Sequence, residues 1–136
     1  MNVQDHGEVR IDTEADIAIA RRAVRDVATE IGFGVTEIAR IVTAASELGR
    51  NVHKYAGRGV MQWRAVRRDV ASGLELRFAD RGPGIVDVNE ALREGYSTGG
   101  GLGMGLPGAK RLMDEMEIQS VPGAGTTVTV RKWRRH

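Results

Sequence analysis

The chain has 136 residues, with 20 Lys and Arg against 18 Asp and Glu, a formal net charge of +2 and no cysteine. That length suits a single domain with its own core; the missing cysteine excludes a disulfide framework and a Cys-ligated metal. Aromatic residues make up only 4% of the chain, which argues against nucleic-acid binding despite basic clusters at Arg64, Arg67, Arg68 and over 131–136; the C-terminal cluster reads as a solvated strand end.

No apolar run approaches the ~20 residues that cross a bilayer, and Met1 to Arg10 lacks the apolar stretch of a signal peptide. A soluble, cytoplasmic protein with no membrane partner is expected. Glu8 to Asp12 alternates and predicts a first strand with Val9 and Ile11 on one side. Asp12 or Thr13 can cap the helix that follows. Its apolar stripe is Ile17, Ala20, Val24, Val27 and Ile31, and Gly32 stands where a left-handed C-terminal residue is wanted.

Phe33-Gly34 makes a turn, and Thr36 is the expected cap of a second helix running to about Tyr55. Ile38, Ile41, Val42, Ala45, Leu48 and Val52 form its buried stripe, while Glu47 and Asn51 lie one turn apart on a different face. Such a pair on a helix surface carries no meaning alone. Gly57-Arg-Gly59 ends the helix. Two strands follow, with Met61, Trp63 and Ala65 sharing one face and Leu74, Leu76 and Phe78 another, joined through Asp69 to Gly73. The period of two places Asp80 on the buried side with Phe78, where a carboxylate needs a partner.

Val86 to Arg93 suits a short helix, and Glu94 to Gly101 has no apolar period and reads as a mobile segment. Leu106 to Met116 is helical again, with Pro107 fixing its first turn. Ile118 to Val121 and Thr126 to Lys132 form a closing hairpin around Pro122 to Gly125, the last strand alternating as a half-exposed edge would. Strands and helices do not alternate regularly, so the expected class is α+β. It is a two-layer sandwich: a mixed, largely antiparallel sheet of about five strands, one face covered by three helices.

Glycine crowds two loops, Asp80-Arg-Gly-Pro-Gly-Ile85 and Gly99-Gly-Gly-Leu-Gly-Met-Gly-Leu106, the second opening a helix. Free backbone N–H groups and the positive helix end make such a loop a phosphate site in principle. A Walker A loop requires Gly-Lys-Ser/Thr, which is absent, and a Rossmann fingerprint requires a strand directly before the glycines. A flexible linker would be Gly/Ser-rich and would separate domains, whereas Leu102, Met104 and Leu106 interrupt these glycines.

Glu47-Leu-Gly-Arg-Asn51, Asp80 to Gly84, Gly99 to Gly105 and Gly123-Ala-Gly-Thr126 resemble, in order, the asparagine box and the three glycine boxes of the GHKL (Bergerat-fold) ATPases. The likeness spans most of the chain. More narrowly, Ile41 to Asn51, Gly95 to Leu106 and Leu106 to Asp114 resemble the RsbT-type switch kinases of bacterial stress signalling. The sister anti-sigma-factor kinases often carry an Arg shortly before the second glycine box, where this chain has Tyr96-Ser-Thr98.

The resemblance implies an ATP- and Mg²⁺-dependent serine/threonine protein kinase acting on a STAS-domain protein, with a PP2C-type phosphatase as a second partner. Glu47 would be the catalytic base and Asn51 the Mg²⁺ ligand. Asp80 would accept from the adenine amino group, beside Gly82, Gly84 and Ile85 and supported by Thr126. Gly99, Gly100, Gly101, Leu102, Gly103, Met104, Gly105 and Leu106 would form the hinged phosphate lid. His53 reads as a packing residue, and Ser46 has no His–Asp relay to activate it. Two other readings stand beside this one: an anti-sigma factor whose main partner is a sigma factor, and a nucleotide-gated binding module without catalysis. A sensor histidine kinase fits less well, since no phosphoacceptor-His helix pair precedes the pocket.

Overall fold

A computed structural model describes residues 6–84 and 105–134. Strand β1 (His6–Ile11) leads into helix α1 (Glu14–Ile31) and helix α2 (Val35–Ala56). Strands β2 (Gly59–Arg68) and β3 (Ala71–Asp80) follow, and helix α3 (Gly105–Leu112) precedes strands β4 (Glu115–Val121) and β5 (Gly125–Trp133). The sheet order is β1-β2-β3-β5-β4, and every described pair is antiparallel. The helices cover one face, as expected for the α+β sandwich. The expected helix over 86–93 and the segment over 94–101 lie outside the described residues.

Alternation along the strands builds the core. Leu74, Leu76 and Phe78 of β3 and Val128 and Val130 of β5 are buried under the helices, with Met61 of β2 beside them. Ala65, expected on that face, is exposed. Each fully buried aliphatic side chain contributes about 1.5–3 kcal/mol relative to exposure. From α1 come Ile17, Ala20, Val24 and Val27, and from α2 Ile41, Val42, Ala45, Leu48 and Val52, matching the predicted stripes. Ala44, Ser46 and Gly49 of α2 are buried as well. Small residues there let α2 pack between α1 and α3 while it rests on the sheet.

Four local expectations need correction. Helix α2 is capped by Gly34 in extended conformation, not by Thr36. Phe33 is drawn into the core immediately after the left-handed Gly32, so the chain can turn into the helix two residues sooner. The β2–β3 connection is only Asp69-Val70, since Arg68 already pairs with Ala71. Helix α3 ends at Leu112 rather than Met116; the Asp114 N–H then bonds the Arg131 carbonyl at 2.9 Å and starts β4. Met116 pairs with Val130, so a spacing that suggested helix joins a helix end to an inward-facing strand position.

The fourth correction concerns β5. It lies between β3 and β4, and the edge strand is β4. Its Thr/Val alternation reports one covered and one bare sheet face, which an interior antiparallel strand shares with an edge. Nor is the C-terminal basic cluster simply solvated. Lys132 is only 5% exposed. Its ammonium donates to the Leu112 carbonyl at 3.0 Å and pairs with Glu37 at 3.3 Å and Asp114 at 3.6 Å, joining β5 to the start of α2 and the end of α3.

On the bare face, Arg131 pairs with Glu75, Glu115 and Glu117. Arg64 pairs with Glu75, and Arg68 pairs with Glu115 while stacking on Trp133. Hydrogen bonds from Arg68 and from the Trp133 indole hold the Glu115 carboxyl down at about 2. Burial opposes ionisation of Glu75 more than any other single influence does, yet hydrogen bonds from Arg64 and Arg131 together outweigh it and leave its carboxyl below the usual range.

Candidate functional site between α2, β3 and the start of α3

Helix α2 supplies the first wall. Glu47 and Asn51 lie one turn apart, and the α3 start comes up against Asn51: a Cβ on Gly105 would stand 3.5 Å from the Asn51 amide nitrogen and 3.6 Å from its oxygen. Glycine therefore leaves the asparagine amide room that a larger side chain would take. The first N–H groups of α3 have no acceptor within the helix, and they begin beside this amide. Leu106 and Ala109, one turn into α3, are buried in the core and fix the helix start. Glu47 is half-buried, its side chain 17% exposed, and its Oε2 accepts a hydrogen bond from Nη1 of Arg50.

The second wall is the end of β3. Asp80 is half-buried rather than fully enclosed. Its Oδ1 accepts the Gly82 N–H at 2.8 Å and the Thr126 N–H at 3.2 Å. Among the described residues Oδ2 has no hydrogen-bond partner. Gly82 packs so closely on α2 that a Cβ would come within 2.6 Å of the Ala56 methyl. The first glycine loop is tied to the β4–β5 turn as well: the Gly123 N–H donates to the Pro83 carbonyl at 2.7 Å, and Gly84 turns with φ 77° against Val121.

The structure thus sets Asn51, one turn from Glu47 on α2, beside Gly105, and separately joins Asp80 to Gly82 and Thr126, with Gly84 against the β4–β5 turn. Leu106 serves as a core anchor. Ile85 and Gly99, Gly100, Gly101, Leu102, Gly103 and Met104 lie outside the described residues. Thr126 reaches Asp80 through its backbone N–H, while its hydroxyl pairs with the Ser120 hydroxyl at 2.9 Å. Ser120 is a residue that sequence reasoning missed. Extending the last hairpin back by the strand rule, with Val121 opposite Gly125 and Ser120 opposite Thr126, could have found it. Arg50 was missed too, although its spacing of three from Glu47 was a readable signal. His53 carries a buried Nδ1 without a described hydrogen-bond partner, consistent with a packing position.

The profile of the histidine kinase-like ATPase domain matches residues 9–132. The chain belongs to that family. The matched residues run from within β1 to within β5 and include α2, the end of β3 and the start of α3. The chain is 49% identical to the serine/threonine-protein kinase RsbT of Bacillus subtilis over 133 residues, 98% of this chain and 100% of that protein. It is 34% identical over 122 residues to the anti-sigma F factor of Caldanaerobacter subterraneus subsp. tengcongensis, covering 85% of this chain and 84% of that protein. The anti-sigma F factor of Halalkalibacterium halodurans is 33% identical over 123 residues, with 85% of this chain and 82% of the relative covered.

Proposed function

We propose that the chain, as a single domain over 1–136, is an ATP-dependent serine/threonine protein kinase of a partner-switching module. The observation that carries this reading is the full-length 49% identity to the serine/threonine-protein kinase RsbT. Local chemistry supports it. The Asp80 Oδ2 would accept a hydrogen bond from the exocyclic amine of adenine, while Oδ1 stays anchored to two backbone N–H groups. Backbone N–H groups from Gly99 to Leu106 would hold the phosphates.

Glu47 would accept the proton of a Ser or Thr hydroxyl as that oxygen bonds to the γ-phosphorus. The bond from phosphorus to the β–γ bridging oxygen breaks, and ADP leaves with the electron pair. The Asn51 amide oxygen is a hard neutral donor with space beside it at Gly105, which fits one protein ligand of a Mg²⁺ whose other ligands are phosphate oxygens and water. When bound, the ion would neutralise phosphate charge.

The protein substrate would be a STAS-domain antagonist or scaffold in the cytoplasm, and a PP2C-type phosphatase would be the second partner. The anti-sigma F relatives favour one alternative, in which the same pocket serves a protein whose main partner is a sigma factor. Transfer of radiolabelled γ-phosphate from ATP to STAS proteins encoded nearby, with and without Mg²⁺, tests the kinase reading. Co-purification separates the two: a sigma factor retained by the protein favours the alternative, a STAS protein or phosphatase the first.

A further inference from the structure

On α2, Arg50 and Asn51 follow Glu47 by three and four residues, so they stand about 60° to one side and 40° to the other of it around the helix axis. Asn51 borders the start of α3. Arg50 flanks the opposite side, with its side chain 53% exposed where that of Glu47 is 17% exposed. Its guanidinium engages Oε2 of Glu47 through Nη1 alone. Oε1 has no hydrogen-bond partner among the described residues, and the guanidinium makes no other described contact.

A glutamate has three side-chain torsions and, unanchored, spreads its carboxylate over several positions. Here one oxygen is pinned and the other is left open. Resting on the kinase reading above, we propose that Arg50 is a positioning residue for Glu47. It holds Oε2 from the solvent side so that Oε1 is presented to the phosphoacceptor hydroxyl. Arg50 bonds neither ATP nor the acceptor in this scheme, and no proton passes to it. An ordinary surface ion pair of the same spacing would leave the rate of transfer untouched.

The test uses the full chain, ATP with Mg²⁺ and a purified STAS-domain protein as phosphoacceptor. Arg50→Ala is expected to lower kcat by about 10–100-fold, the scale of a misplaced catalytic group, with KM for ATP and for the STAS protein unchanged. Arg50→Lys, which keeps a cation but not the fork, is expected to recover part of the loss. In a Glu47→Asp background the shorter carboxylate no longer meets Arg50, so adding Arg50→Ala is expected to cost nothing more.

A rise in KM for the STAS protein at unchanged kcat overturns the proposal by making Arg50 a docking residue. So does an unchanged kcat, or an equal loss in the Glu47→Asp background. Transfer at the parent rate by Glu47→Ala, or no transfer by the parent protein, instead removes the kinase reading on which the proposal rests.

Discussion

Asp80 combines two roles that two substitutions can separate. Its Oδ1 accepts the N–H groups of Gly82 and Thr126, fastening the first glycine loop and β5 to the end of β3. Its Oδ2 is the atom proposed to read adenine. Asp80→Asn keeps an acceptor for the two backbone donors but turns an N–H₂ group toward the adenine amine. A hydrogen bond to a charged group is worth about 1.5–3 kcal/mol, and each 1.4 kcal/mol is about tenfold in affinity. ATP should therefore bind Asp80→Asn about 10–100-fold more weakly, with the urea midpoint close to that of the parent.

Asp80→Ala should fail in both respects. It leaves two donors without their acceptor, at about 1–3 kcal/mol each when buried; because the site is half-buried, a combined loss of about 2–4 kcal/mol is expected. Titration calorimetry with ATP and urea unfolding read the two quantities independently. ATP binding to Asp80→Asn at the parent affinity refutes the assignment of Oδ2. Parent-like unfolding of Asp80→Ala refutes the anchoring role of Oδ1.

Gly105→Ala should retain ATP binding, since its Cβ meets Asn51 at an ordinary 3.5 Å; Gly105→Val, whose branches press on that amide, should lose it, as calorimetry would register. Lys132→Met should lower the unfolding free energy by about 3 kcal/mol in urea, because Glu37 and Asp114 lose a buried cation; a change below about 1 kcal/mol contradicts the buried-pair reading. Acid should destabilise the fold. The carboxyls of Glu115, Glu75 and Asp16 all lie below their ordinary values in the folded chain. The unfolded chain thus binds protons first, and the stability these groups supply is complete above their ordinary range and lost as pH falls toward the value of about 2 for Glu115. Urea midpoints measured from neutral to acid pH should show that fall, and Arg68→Gln should make it shallower.

Most of the fold could be read from period alone. Long amphipathic helices and alternating strands place their core residues without tertiary information, and α1, α2 and β3 follow their predicted stripes, while β2 departs from its own at the exposed Ala65. The errors fall where one pattern serves two structures. Met113 and Met116 are spaced like a helix face, yet the chain becomes a strand between them because the Asp114 N–H finds the Arg131 carbonyl. Alternation in β5 records which face is covered but not which strands flank it, since a strand entering between β3 and β4 leaves no local mark. Lys132 looked like a surface charge because its partners, Glu37 and Asp114, come from distant elements.

The site divides in the same way. Motif order singles out Glu47, Asn51, Asp80 and Gly105, and the structure sets Asn51 beside Gly105 and bonds Asp80 to the first glycine loop. How Thr126 meets Asp80 was not legible, because it depends on a backbone N–H that every residue but proline carries. Ser120 and Arg50 are hard to read for a related reason: each bonds a neighbouring side chain, Thr126 and Glu47 respectively.

On the proposed kinase reading, Glu47 accepts the proton in phosphoryl transfer and is not needed for ATP to bind. The most direct measurement is single-turnover transfer from prebound ATP to a candidate STAS-domain acceptor by the parent chain and by Glu47→Ala, with ATP affinity measured on both. Equal ATP affinity and a transfer rate lowered by about 100-fold or more in the variant are expected. Equal transfer rates at equal affinity would contradict that reading.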